Sequence, residues 1–206
     1  MTPFENQILI AVKESLGADY RQDKNSFYKF YPEFFNVIWV QFVKIGLNPT
    51  DKAITVYFGV NVPRILELLW GNNFKQDTAM KLSAMDGVFN CNINDLILDF
   101  KGKPKIKYWD LNKDLNPIEE ISDVVRSKLV PFVKQFDSLV HLNDMIDRLD
   151  YPAKQSTDVP VKIAALKFIL GKNDEFNKLA DQLRAGKNHF LDMLEKLIEN
   201  NSHKPF

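Results

Sequence analysis

The sequence predicts an α+β fold: an N-terminal helix on an antiparallel sheet of about five strands, followed by a mostly helical C-terminal half. Three observations predict it. Residues 34–44 (FFNVIWVQFVK) and 53–62 (AITVYFGVNV) are β-type runs joined by a turn-forming segment, 45–52 (IGLNPTDK). In the second run Ile54, Val56, Phe58 and Val60 alternate with Thr55, Tyr57, Gly59 and Asn61. One face is apolar and the other mixed, as in an antiparallel sheet packed on helices from one side. From Pro117 onward the apolar period becomes helical.

The elements follow in order. Phe4, Ile8, Val12 and Leu16 recur at helical spacing. Thr2 caps and Pro3 starts that helix, and Gly17 stops it, so it spans Pro3–Leu16. Residues 18–25 are polar and read as a loop. Residues 26–31 (SFYKFY) read as a strand, and Pro32-Glu33 turns the chain into the long strand 34–44. Pro63 ends the strand 53–62, and 64–70 (RILELLW) reads as a short helix. Residues 74–94 show no regular period. Residues 96–100 and 105–109 flank Lys101-Gly102-Lys103-Pro104 and read as a hairpin whose second arm is an edge strand.

Asn116-Pro117 with Glu119 and Glu120 signals a helix start, and Pro131 should kink or restart that helix. Phe132, Phe136, Leu139 and Val140 form the next apolar stripe. Asn143-Asp144 reads as the start of a separate short helix ending near Tyr151-Pro152. Residues 160–170 (PVKIAALKFIL) are apolar on most sides and predict a buried helix. Residues 174–185 and 187–200 read as two more helices around Gly186. We read residues 1–206 as one domain with a soft subdivision into 1–116 and 117–206.

Composition narrows the function classes. Twenty-seven basic residues balance twenty-seven acidic ones, which argues against a general nucleic-acid binder, since that needs a basic footprint. One cysteine, Cys91, fits a reducing compartment. The N-terminus lacks the basic region of a signal peptide, and no run approaches the ~20 apolar residues that span a bilayer. The expectation is a soluble cytoplasmic protein that makes no membrane contact. No nucleophile elbow, phosphate loop, zinc-protease pattern or calcium loop occurs. No cofactor is called for, and we lean away from an enzyme.

Three groups of residues remain as candidate sites. Asp137, His141 and Asp144 lie at i, i+4 and i+7 on one helical face, which Arg148 continues. A carboxylate–imidazole–carboxylate row suits a divalent metal, and a metal-assisted hydrolase is one alternative reading. A solvated helix face explains the same spacing, and we favour it. His189 with Asp192 repeats the pattern at i, i+3. Cys91 has no histidine near it in sequence and reads as a small apolar filler. Lys101, Lys103, Lys105 and Lys107 form a local basic patch, which makes nucleic-acid contact a second alternative. Gln41, Tyr57 and Asn61 lie on the mixed faces of the central strands beside Trp39, and Trp109 is expected to join them. Aromatic area with directional amides suits ligand or protein binding; a face covered by helices, with its amides satisfied internally, explains the same residues, and we favour it.

A resemblance adds to this reading. The opening helix, SFYKFY, FNVIWVQFVK, ITVYFGVNV, Tyr108-Trp109-Asp110-Leu111, Leu129-Val130-Pro131-Phe132 and ALKFILGKNDEF occur in the order seen in a bacterial domain family of unknown function, numbered 4304 in its class. The sequence resembles that family over most of its length and departs from it in 72–94. The family carries no established catalytic residues. What the resemblance implies is an uncharacterised α+β domain, with a loose association to immunity proteins. The lack of a catalytic pattern together with the aromatic sheet surface makes a non-enzymatic binding or interaction protein with a protein partner the leading expectation.

Overall fold

The computed structural model describes residues 1–48, 51–70, 82–101, 106–149 and 158–186, together with Glu195 and Glu199. In chain order the described elements are α1 (Pro3–Leu16), β1 (Arg21–Asp23), β2 (Ser26–Phe30), β3 (Phe35–Lys44), β4 (Lys52–Asn61), α2 (Pro63–Trp70), β5 (Phe89–Asn92), α3 (Ile93–Ile97), β6 (Trp109–Asp110), α4 (Pro117–Val124), α5 (Val130–Val133), α6 (Leu139–Arg148), α7 (Val159–Ile169) and α8 (Asn173–Ala185). The fold is α+β, with an N-terminal helix, an antiparallel sheet and a mostly helical C-terminal half. The chain divides into two compact units, residues 1–61 with 82–136, and residues 62–81 with 137–206. The expected subdivision at 116/117 does not follow this partition. Residues 117–136 group with the sheet, and 62–81 group with the later helices.

The first unit is built on the sheet. Its strands run β1-β2-β3-β4-β5, with β6 also pairing β4, and every pairing is antiparallel. The register sets two faces. Phe27, Ile38, Val40, Ile54, Val56, Phe58, Val60 and Phe89 share the apolar face and are all buried. Phe132 and Phe136 lie against Phe58 at 5.8 Å between ring centroids, and against Phe89 at 5.9 Å. Helix α1 buries Ile8, Leu9 and Val12. It is capped by reciprocal bonds between Thr2 and Glu5, and Glu5 pairs with Lys52 of β4 at 2.5 Å. Pro131 does restart its helix. A wide turn at Val125–Leu129, in which the Val130 N–H bonds the Val125 carbonyl, precedes α5. Proline offers no N–H and crowds the carbonyl four residues back, and the wide turn absorbs that conflict.

Four expectations change. Residues 21–23, read as loop, form β1, closed onto β2 by the two-residue turn Lys24-Asn25 with Lys24 at φ 52°. The first arm of the expected hairpin, 96–100, is not a strand: α3 occupies 93–97. Asn92 caps α3, accepting from Asn94 N–H, while Asp95 accepts from Asn92 N–H. The second arm is only β6, and the turn residues 102–105 lie outside the described residues. Within 74–94, Phe89–Asn92 forms β5 after a short helical turn at Ala84–Asp86. Residues 143–144 do not start a helix, because Ser138 caps α6 by accepting from His141 N–H.

The second unit is helical where described. Helix α7 is its centre and buries Val159, Val161, Ile163, Ala164, Ala165 and Leu166, as its all-round apolar sequence predicts. Val140, expected on an apolar stripe, is half exposed. The expected helix 187–200 lies outside the described residues, apart from Glu195 and Glu199.

Candidate interaction surface

The mixed face of the sheet begins with its strand register. Trp39 pairs with Tyr57, Gln41 with Thr55, Val37 with Gly59 and Phe35 with Asn61. The structure uses this face in two ways. At one end, the segment 82–87 lies on it. The Tyr28 hydroxyl donates to Leu82 O at 3.3 Å, Asn61 Nδ2 to Ser83 O at 3.5 Å and Asn90 Nδ2 to Met85 O at 3.4 Å. Three side chains thus supply donors to carbonyls of a turn that itself closes through Ser83 and Asp86. Asn61, a predicted binding residue, is wholly buried and serves this internal role. Asn92 is likewise consumed: its Nδ2 donates to Thr55 Oγ1 at 2.7 Å, and its Oδ1 accepts from Lys107 N–H at 3.0 Å.

The middle of the face is different. Trp39 and Tyr57 stack at 5.6 Å with their ring planes 26° apart, and both are half-buried. Gln41, also half-buried, is next along β3 on the same side. The Trp39 indole N–H, the Tyr57 hydroxyl and the Gln41 amide make no hydrogen bond to a described residue. Burial raises the Tyr57 phenol above its ordinary value of 10.0, and the neighbouring Tyr108 and Asp95 add to the shift. Tyr57 therefore stays a neutral hydroxyl that can donate or accept.

Trp109 does not join this surface. It pairs with Ile54, so it lies on the apolar face. It is 1% exposed, and its Nε1 donates to Glu120 at 3.0 Å. The Lys107 ammonium sits 5.4 Å above its ring. Of the other expected lysines, Lys103 and Lys105 lie outside the described residues.

The expected metal row does not gather. The His141 imidazole bonds Asp137, and both are exposed. Asp144 instead faces Lys172 at 3.8 Å. Among the described residues no group of three His, Cys, Asp or Glu could share an ion. His189 and Asp192 lie outside them. Cys91 is buried on the apolar face, and burial pushes its thiol well above the usual range, away from the reactive thiolate.

A second polar cluster was missed in the sequence. Lys167 of α7 is buried and donates to Asp147 at 2.8 Å, Glu175 at 2.6 Å and Asn143 at 3.1 Å. It borders a cleft of about 330 Å³ with Ile146, Ile163, Lys178, Leu179 and Gln182. The signal was a lysine inside an otherwise apolar helix. Burial lowers its pKa but the two carboxylates raise it further, so the net shift is upward. A saturated, charged ammonium is a structural tie rather than a nucleophile.

The comparisons with known proteins add no name. No family model, curated protein or solved structure matches this chain. Among the described residues no helix is long and apolar enough to cross a membrane.

Proposed function

We propose that this chain is a non-enzymatic binding protein whose contact surface is the sheet face around Trp39, Gln41 and Tyr57. The observation that carries the reading is the stacked Trp39–Tyr57 pair, whose polar tips, with the adjacent Gln41 amide, bond no described residue. Such a surface offers apolar area together with hydrogen-bonding groups that bond no described residue, the combination found at the centres of protein interfaces. The reading takes a protein as partner and the cytoplasm as setting; the single cysteine supports a reducing compartment. Neutralising a toxin-like partner is the specific role we propose, and membership of the resembled family of unknown function belongs to the same reading.

The test is affinity capture from native lysate with the full chain as bait. Wild type should retain a partner that Trp39→Ser and Gln41→Lys both lose while keeping the wild-type circular dichroism spectrum. Equal capture by all three proteins, or none by wild type, would refute the reading.

A further inference from the structure

We draw no further inference here: the strongest candidate, the cleft beside Lys167 in the helical unit, has its buried ammonium tied to Asp147, Glu175 and Asn143, and nothing in the structure shows what covers its apolar lining of Ile146, Ile163 and Leu179.

Discussion

Gly59 of β4 meets the backbone of Ala84 so closely that a Cβ on it would lie 2.1 Å from the Ala84 carbonyl oxygen. The turn at 84–86 can rest on the sheet only because this position has no side chain. Nothing flexible can give way, since the opposing atoms are backbone. Gly59→Ala should therefore destabilise the protein by roughly 1–3 kcal/mol, the usual cost of overpacking. Urea denaturation followed by circular dichroism measures it, and a neutral substitution would mean that the 82–87 segment does not sit on this face.

The two described tryptophans of the sheet should behave oppositely. Trp109 is buried among core residues and bonds Glu120. Trp109→Ala should cost about 3–5 kcal/mol, as expected for a large core truncation. Trp39 is half-buried, and Trp39→Leu keeps most of its apolar area, so it should cost under about 1.5 kcal/mol. Thermal unfolding of the two variants side by side distinguishes them; equal losses would contradict the assignment of Trp109 to the core and Trp39 to the surface.

Lys167 should act as a tie in the helical unit. Its side chain is 8% exposed while Asp147 and Glu175 are about half exposed. Lys167→Met should cost roughly 1–3 kcal/mol, less than the loss from a fully buried pair because water can reach the orphaned carboxylates. The pH dependence has a definite sign. The bond from Lys167 holds the Glu175 carboxyl below its ordinary value of 4.5. A folded value below the unfolded one gives stability that is present above about pH 4.5 and is lost as pH falls through the folded value. Urea titrations on the acid side of neutrality should show wild type losing more stability than Glu175→Gln. Parallel curves would sink the assignment.

Cys91 should be silent in the folded chain. Burial shields the thiol and disfavours its thiolate. A chromogenic disulfide reagent should fail to titrate it in buffer and should titrate it fully in guanidinium. Prompt stoichiometric reaction of the native protein would place the thiol at the surface.

Much of this fold was legible in the sequence, and the exceptions have physical causes. The helix Pro3–Leu16 and the two long strands were read closely because period, cap and stop signals agree there. Strand β1 carries Arg-Gln-Asp and no apolar residue, so only its partner reveals it. Strand β5 does alternate, as Phe-Asn-Cys-Asn, but four residues with two asparagines give too weak a signal. Helix α3 looked like a strand arm because a short apolar run fits either period, and the Asn92–Asp95 cap was the overlooked clue. The candidate surface was half legible. Alternation put Trp39, Gln41 and Tyr57 on mixed faces, but only pairing shows that Trp109 follows Ile54 to the opposite face. Nor could alternation show that Asn61 is consumed by the Ser83 carbonyl, because the 82–87 segment arrives from elsewhere in the chain.

The most direct measurement follows the indole N–H signals by nuclear magnetic resonance while the captured partner is added to the labelled full chain. The Trp39 indole and the Gln41 side-chain amide should shift strongly, with the Trp109 indole held in place by Glu120. A titration that moves Trp109 or the residues around Lys167 and leaves Trp39 and Gln41 unmoved would contradict the account.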